Sequence, residues 1–200
     1  FEAATGKLVQ SFTSDKFRNT PNRIAFSPDG HLLVIGVSQS ETVSVWETKS
    51  GRLARTLMGN PGSAASLAFS PKGDRLVVGN DNATSSVWNV QSGDRLAVTS
   101  HSRSGEWVTI TPEGFFTASS PKAGDALTIV RGFDLFTIDQ IYQALFNPDL
   151  VREKLADDQN GEVKRAASVL DLEKLLGSGQ APQVILSSPV SGSKVAEEVV

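Results

Sequence analysis

Two histidines and one cluster of acids are the residues of this chain that could take part in chemistry. His31 follows the turn glycine Gly30, and His101 lies in a polar loop at residues 100–105. An imidazole acts as a general base or a metal ligand when a second suitable group stands beside it. Neither histidine has such a neighbour in the sequence, and no Gly-x-Ser-x-Gly turn presents a nucleophile. We therefore interpret both histidines as exposed loop residues.

The acids Asp157, Asp158 and Glu162 are the second candidate, because carboxylates that alternate along a loop bind calcium. A calcium loop also needs a central Gly and a closing Glu, and only fragments of that pattern occur here. A solvated loop between two helices fits the sequence better. The sequence also has no cysteine, no glycine-rich phosphate loop and no recognisable pair of catalytic carboxylates. We therefore predict no catalytic residue, no cofactor and no metal site.

Charge and hydropathy exclude further classes of partner. The 200 residues carry a net charge of -3, and this lack of a basic surplus argues against nucleic acid or an acidic membrane. The longest apolar run, residues 32–37, is much shorter than the ~18 residues that a membrane-spanning helix needs. No signal-peptide pattern opens the chain. We expect a cytoplasmic protein whose partners are other proteins.

An internal repeat is the strongest signal in the sequence. The tetrapeptide SPDG at residues 27–30 returns as SPKG at 70–73 and as TPEG at 111–114, with the prolines 43 and 41 residues apart. Trp46 and Trp88 lie 42 residues apart, and a glycine follows each of them by five residues. Such a period is typical of the blades of a β-propeller.

Each repeat unit has the pattern of four short strands. The sequence predicts strands over residues 22–26, 32–37, 42–46 and 53–58, and again over 66–69, 75–78, 84–88 and 95–98. The second strand is almost continuously apolar, as expected when both faces of a sheet are covered. The third strand alternates with a period of two residues. We predict a mainly β fold with two four-stranded antiparallel sheets, in which Trp46 and Trp88 occupy equivalent positions.

Several features of these units resemble the WD40 repeat family of β-propellers. They are the runs AFSPDG and AFSPKG, the runs VSVWET and SSVWNV, and the Ser-Gly turn after each of the latter. The resemblance covers residues 1–131, about two and a half blades. The family's Trp-Asp pair is replaced by Trp-Glu and Trp-Asn, and its Gly-His pair by Gly59-Asn60. We therefore expect the family's buried hydrogen-bond network to be mostly absent, and apolar packing to hold the blades together.

The third unit is degenerate and contains the one predicted partner contact. Residues 107–118 have the pattern of two strands and residues 126–130 that of a third, which suggests the last blade of a propeller. Residues 1–12 are interpreted as the outer strand of an earlier blade. Trp107 stands at the start of the third unit, after a polar loop. Exposed aromatic side chains often anchor protein partners, so we predict that Trp107 contacts one.

Past residue 131 the hydrophobic period changes from two to 3.6 residues. The pattern predicts helices over 138–146, with Thr137 as cap, over 148–156, with Asn147 as cap, and over 162–176. Residues 182–200 have the pattern of an opening hairpin. The predicted domains are propeller blades at 1–131, a helical linker segment at 132–178, and the start of a further, Ig-like β-domain at 179–200.

A finer resemblance concerns the run GEWVTITPEGFFTAS at 105–119 and the run APQVILSSPVSG at 181–192. With the helical segment between them, they are similar to the junction in bacterial chains that join a WD40 propeller to a caspase-like peptidase. In that family the catalytic His and Cys lie in the peptidase domain. Because this chain has no Cys and both histidines precede the junction, the resemblance implies no catalytic residue here. It implies a regulatory or recruiting arm joined to the rest of the same polypeptide.

The predicted function is therefore a non-catalytic interaction scaffold. The alternative is part of a propeller enzyme whose active site lies in the central channel, which would need inward polar residues from several blades. We also expect the chain to be a segment of a longer protein. Open strand edges and apolar faces should make it self-associate when it is produced alone.

Overall fold

We describe the protein from a computed structural model that defines residues 2, 4–12, 20–124, 128–131, 134–137 and 142–170. The strands are β1 (Pro21–Phe26), β2 (Leu32–Val37), β3 (Thr42–Glu47), β4 (Leu53–Met58), β5 (Ala64–Phe69), β6 (Arg75–Asn80), β7 (Thr84–Asn89), β8 (Arg95–His101), β9 (Trp107–Ile110), β10 (Phe116–Ala118), β11 (Thr128–Arg131) and β12 (Asp134–Thr137). The helices are α1 (Pro121–Gly124), α2 (Tyr142–Leu145), α3 (Pro148–Leu155) and α4 (Glu162–Val169). Strands therefore dominate, as predicted, and the short helices follow them.

The two repeat units form antiparallel sheets of consecutive strands. The first sheet has the order β1-β2-β3-β4, and β5 to β8 follow the same order in the second. Trp46 pairs with Leu33 and Leu53, and Trp88 pairs with Leu76 and Arg95, so the two tryptophans occupy equivalent positions. This confirms the predicted four-stranded units.

The turn between the first two strands of each unit has the same geometry. Gly30, Gly73 and the third copy, Gly114, have φ angles of +71°, +75° and +95°. A side chain is strained in this left-handed region, so glycine is the residue that suits the turn. The amide of each glycine donates to the carbonyl of the Ser or Thr three residues before it, at 2.9–3.0 Å. The repeated tetrapeptide is therefore a repeated turn.

The main core lies between the two sheets. Alternation along β2 and β3 directs Val34 and Val45 toward the second sheet, and these side chains are 0% and 1% exposed. They pack against Leu76, Val78 and Trp88 of the second sheet. The opposite face of the first sheet forms a separate cluster with Phe12, and its members are Leu33, Ile35, Val37 and Trp46. Apolar side chains on both faces of one sheet are typical of stacked blades.

A buried hydrogen-bond chain runs through the second unit, contrary to the expectation from the sequence. Trp88 Nε1 donates to Ser86 Oγ at 2.9 Å, and Ser86 Oγ donates to Asn60 Oδ1 at 2.6 Å. Asn60 Nδ2 then donates to Asn80 Oδ1 at 2.5 Å, and Asn80 Nδ2 to Thr84 Oγ1 at 2.9 Å. Amides replace the expected His and Asp here because they can both donate and accept. Both apolar packing and this hydrogen-bond chain therefore stabilise the second unit.

The third unit does not form a sheet of its own. β9 pairs with β8 along four residues, and β10 pairs with β9, so both strands extend the second sheet to six strands. Thr99 and Thr109 hydroxyls meet at 2.8 Å across this added pair. The interpretation of these strands as a separate last blade is therefore wrong for the described residues.

The helices cover β9 and β10 with their apolar faces. Val151 and Val163 are 2% and 0% exposed and lie in one cluster with Val108 and Phe116. The predicted cap is present, since Asn147 Oδ1 accepts from the Leu150 amide at 3.0 Å. This second core joins the helical segment to the extended sheet.

Two predicted elements differ from the structure, and a third is described only in part. Thr137 ends strand β12, which pairs with β11, and residues 138–141, where the predicted helix would begin, lie outside the described residues. Helix α4 ends at Val169, because Leu170 is extended with φ -80° and ψ 103°. Residues 4–12 contain no strand, contrary to the outer strand predicted there. The predicted hairpin at 182–200 lies outside the described residues.

Candidate functional site

Both histidines lie on the surface, as the sequence suggested, although His101 belongs to strand β8 and not to a loop. The side chain of His31 is 78% exposed, and its Nδ1 lies 3.1 Å from Asp29 Oδ2 in the turn. His101 is exposed at the end of β8, where its backbone pairs with Trp107. Neither arrangement assembles a nucleophile, a base and an oxyanion site.

The acidic loop has a structural role that the sequence did not reveal. Asp157 Oδ1 and Oδ2 accept hydrogen bonds from Asn89 Nδ2 at 2.8 and 2.7 Å. Asp158 accepts from the amides of Val163 and Lys164 at 2.9 and 3.1 Å, and so caps helix α4. The two carboxylates therefore face different partners. Within the described part of the chain, no group of three or more His, Asp or Glu side chains could hold a metal ion.

Trp107 is set apart from the other tryptophans by its exposure. It is 36% exposed, whereas Trp46 and Trp88 are each 2% exposed. The turn before it is closed by two backbone hydrogen bonds, from Ser102 N to Glu106 O at 2.8 Å and from Gly105 N to Ser102 O at 3.2 Å. This turn places Trp107 at the first position of β9, with its indole at the surface.

Neighbouring hydroxyls hold the backbone of Trp107 and the carboxylate of Glu106 together. The Trp107 amide donates to Ser119 Oγ at 3.0 Å, and Ser119 Oγ in turn donates to Glu106 Oε2. Ser120 Oγ donates to the same carboxylate oxygen at 2.8 Å. The hydroxyls of Ser119 and Ser120, with the Lys122 ammonium, lower the pKa of Glu106 below its ordinary value. The carboxylate is therefore ionised and fixed in position at neutral pH.

A pocket of about 460 Å³ opens beside Trp107. Its lining residues are Ser100, Ser102, Ser104, Glu106, Trp107, Val108, Lys122 and Ala123. An indole face and two small apolar side chains form the apolar part, and a carboxylate, an ammonium and three hydroxyls form the polar part. An apolar lining with a few polar groups is the usual composition of ligand-binding pockets.

The sequence singled out Trp107 and did not indicate the residues that complete the pocket. Ser119, Ser120 and Lys122 follow β10, and only the pairing of β10 with β9 brings them back to Glu106. The short polar run SSPK at 119–122 is the sequence signal for these residues. Such runs are common in surface turns, so the sequence alone did not indicate that its serines would contact Glu106.

None of the helices in the described part of the chain is both long enough and apolar enough to cross a membrane. The longest of them, α3 and α4, have eight residues each.

Comparison with known proteins agrees with the repeat structure. The sequence pattern described as "WD domain, G-beta repeat" matches residues 6–47 and 51–89. WD repeat-containing protein dyf-2 of Caenorhabditis elegans is 30% identical over 137 residues, which are 66% of this chain and 9% of that protein. Periodic tryptophan protein 2 of Saccharomyces cerevisiae is 30% identical over 114 residues, or 48% of this chain and 12% of that protein.

A third relative, the periodic tryptophan protein 2 homolog of Neurospora crassa, is 33% identical over 75 residues, or 35% of this chain and 8% of that protein. The chain therefore matches only a small part of the length of each relative. Among solved structures, "Crystal structure of RRP9 WD40 repeats" covers 50% of this chain and 38% of its own, with 14% identity and a TM-score of 0.38. The sequence match and the two four-stranded units together identify residues 6–47 and 51–89 as WD40 repeats, the blades of a β-propeller.

Proposed function

We propose that this part of the protein is a non-catalytic interaction scaffold that binds a protein partner through the Trp107 pocket. WD40 repeats generally serve as interaction scaffolds, and fold alone does not decide what they bind. The observation that carries the proposal is the exposure of Trp107, 36%, at the edge of a pocket of about 460 Å³. Tryptophan is strongly enriched among the residues that dominate the binding energy of protein interfaces.

The surroundings of Trp107 suit binding because they are ordered before a partner arrives. The Glu106 carboxylate is held by Ser119 and Ser120, and the Trp107 amide is held by Ser119. A site that needs no reordering loses less conformational entropy on binding. The partner that fits is a peptide segment with one large apolar side chain. A donor group near that side chain would give a hydrogen bond to the Glu106 carboxylate.

Peptide display tests this proposal, because a random library supplies ligands for a surface whose natural partner is unidentified. Peptides selected on the wild-type protein should bind the Trp107→Ala variant at least ten-fold more weakly, a loss of ~1.4 kcal/mol. The matched control is Met58→Ala, which removes another exposed apolar side chain, 73% exposed, from a different strand. Equal affinity for the wild type and for Trp107→Ala across the selected peptides would contradict the proposal.

We further propose that the scaffold is the recruiting or regulatory arm of a larger protein with a caspase-like peptidase. Support comes from the resemblance of residues 105–119 and 181–192 to the junction in such chains. The relatives reported above are named for WD repeats or periodic tryptophans, so they lend this finer proposal no support.

The coding sequence downstream of Val200 tests the peptidase proposal. A domain with a His and a Cys in a caspase-like arrangement would support it, and an unrelated downstream domain would contradict it. The scaffold proposal is independent of that outcome, because it rests on the Trp107 pocket alone. The alternative of an enzyme with a central-channel active site predicts convergent polar side chains from further blades, which the same sequence would reveal.

A further inference from the structure

The Glu106 carboxylate uses only one of its two oxygens within the protein. The Ser119 and Ser120 hydroxyls both donate to Glu106 Oε2. Glu106 Oε1 has no hydrogen-bond or ion-pair partner among the described residues, and the half-buried Glu106 side chain lines the Trp107 pocket. A carboxylate oxygen without a donor can accept hydrogen bonds from a ligand. Glu106 Oε1 is therefore the acceptor that this pocket offers to a partner.

The hydroxyls of the preceding turn bond to each other and to the backbone, so they do not occupy this oxygen. Ser102 Oγ and Ser104 Oγ share a hydrogen bond of 2.7 Å, and Ser102 Oγ also accepts from the Glu106 amide at 3.1 Å. These bonds hold the backbone at the start of the Glu106 side chain. The carboxylate is thus fixed at both ends, by the turn and by the hydroxyls that donate to Oε2.

Lys122 is the only residue of the pocket lining with a positive charge, and it does not neutralise Glu106 by contact. Among the described residues, no ion pair joins Lys122 to a carboxylate. Its ammonium also lowers the pKa of Glu106 less than the hydroxyls of Ser119 and Ser120 do. Because Lys122 is exposed, its hydrated ammonium can turn away on a flexible stem. The charge that is fixed in the pocket is therefore negative.

We propose that the partner segment carries an arginine whose guanidinium binds the Glu106 carboxylate, beside the apolar side chain that contacts Trp107. This inference rests on the proposed function and names the donor group of that partner. A guanidinium is always charged and presents its N–H donors as a planar fork. One donor can bind Glu106 Oε1 while others turn toward the hydroxyl oxygens of Ser100 and Ser104, which line the same pocket.

The apolar part of the pocket also suits an arginine better than a lysine or a neutral donor. Val108 and Ala123 line the pocket and are each 6% exposed, so they offer a small apolar surface to the aliphatic stem of the arginine. A guanidinium is more weakly hydrated than an ammonium and loses less when it enters a half-buried site. A neutral donor lacks the charge that strengthens a hydrogen bond to a carboxylate.

Peptide display with and without the Glu106 charge tests this proposal. Random peptides are selected on the wild type and on Glu106→Gln, which keeps an oxygen acceptor for the serine hydroxyls and removes the negative charge. Arginine should be enriched only among the peptides selected on the wild type. A selected peptide is then made with citrulline, which has the shape of arginine without its charge. The wild type should bind the citrulline peptide about ten-fold more weakly, whereas Glu106→Gln should bind both peptides alike.

Two further variants separate the contact with Glu106 from the effect of overall charge. Lys122→Met removes the positive charge near Glu106 and should tighten binding of the arginine peptide a few-fold. Asp94→Asn is the matched control, because it removes one negative charge from an exposed residue that lies outside the Trp107 pocket. It should bind the arginine peptide as the wild type does. Circular dichroism verifies that each variant is folded, and the citrulline comparison on the wild type decides alone if Glu106→Gln unfolds.

Equal binding of the arginine and citrulline peptides by the wild type would overturn the proposal. So would an absence of arginine enrichment, a folded Glu106→Gln variant that still prefers arginine, or a loss of affinity in Asp94→Asn equal to that in Glu106→Gln. In each case the scaffold proposal stands as long as Trp107→Ala weakens binding of the selected peptides. Binding that is unchanged by Trp107→Ala would contradict the scaffold proposal, and the arginine proposal with it.

Discussion

Both units place a serine two residues before the tryptophan of their third strand, and the two serines differ in what lies beyond them. Ser44 accepts from Trp46 Nε1 at 2.8 Å and donates to the Ile35 carbonyl at 3.3 Å. Ser86, fully buried, instead links Trp88 to Asn60 and through it to Asn80. Substituting each serine therefore compares how much an isolated polar contact and a buried network contribute to the free energy of unfolding.

Replacing Ser86 with Ala should lower the free energy of unfolding by about 2 kcal/mol, because it leaves Trp88 Nε1 and Asn60 Oδ1 without their buried partner. Ser44→Ala should cost about 1 kcal/mol, since fewer buried groups depend on that hydroxyl. Urea unfolding of the two variants measures the difference. A Ser86→Ala cost no larger than that of Ser44→Ala would show that the network adds nothing to stability.

The turn acid Asp29 gives a prediction on pH. Its carboxylate accepts from Ser27 Oγ at 2.5 Å and from the His31 amide at 3.0 Å, and these contacts lower its pKa from 3.8 to about 2. Because the folded-state pKa is the lower one, the stabilisation is present above pH 3.8 and is lost as the pH falls toward about 2. Ser27→Ala removes the largest cause and should raise the pKa of Asp29.

An NMR titration of the Asp29 side-chain carboxyl measures this shift directly. The second unit supplies the comparison, because there Ser70 Oγ donates to Asp74, and Lys72 occupies the position equivalent to Asp29. Ser70→Ala should leave the Asp29 titration unchanged while raising the pKa of Asp74. An Asp29 titration that is the same in Ser27→Ala and in the wild type would contradict the assigned cause.

At the scale of elements, the loop between α3 and α4 attaches the helical segment to the second sheet. Asp157 accepts from Asn89, and the Arg75 guanidinium lies beside the same loop, with Nε 3.4 Å from the Leu155 carbonyl oxygen. Asp157 has a φ of +77°, a region that costs a side chain energy unless tertiary contacts maintain it. The strained backbone and the contact to Asn89 therefore depend on each other.

Asp157→Gly removes the contact to Asn89 without adding backbone strain, since glycine accepts a positive φ. We expect amide hydrogen exchange in α3 and α4 to become several-fold faster, while exchange in β1 to β4 stays as in the wild type. Arg152→Ala is the control, because its ion pair with Asp149 is on the surface, with side chains 77% and 84% exposed. Unchanged exchange in the helices of Asp157→Gly would show that the contacts of Asp157 do not hold the helices in place.

The elements also show which parts of the fold were predictable from sequence. β1 to β8 follow from short-range patterns, namely period-two alternation, turn tetrapeptides and the 42-residue spacing of Trp46 and Trp88. The pairing of β9 with β8 was missed because the repeat period predicted that β9 would begin a new sheet, whereas the short turn at 102–106 joins it to β8. The Trp107 pocket was half predictable. An aromatic residue after a polar loop is visible in the sequence, whereas the return of Ser119 and Ser120 to Glu106 is not.

The two WD40 units share the core between their sheets, and we expect this shared core to couple their unfolding. Val34 and Val45 of the first unit and Leu76 of the second lie in the same buried cluster, so each sheet loses the contacts of this cluster when the other unfolds. Each tryptophan reports on one unit, since Trp46 packs in the cluster with Phe12 and Trp88 packs in the shared core. The shared core predicts a single cooperative transition for the two units.

Leu76→Ala tests this cooperativity, because it removes a fully buried side chain from the second unit and should cost about 3 kcal/mol. Fluorescence follows the two units separately in Trp88→Phe and Trp46→Phe backgrounds, each also carrying Trp107→Phe. The Leu76 substitution should lower the denaturation midpoint reported by Trp46 as much as that reported by Trp88. Val9→Ala, at a position 68% exposed, should move neither midpoint. A midpoint that falls for Trp88 alone would mean that the two blades unfold independently and that the core between them does not couple them.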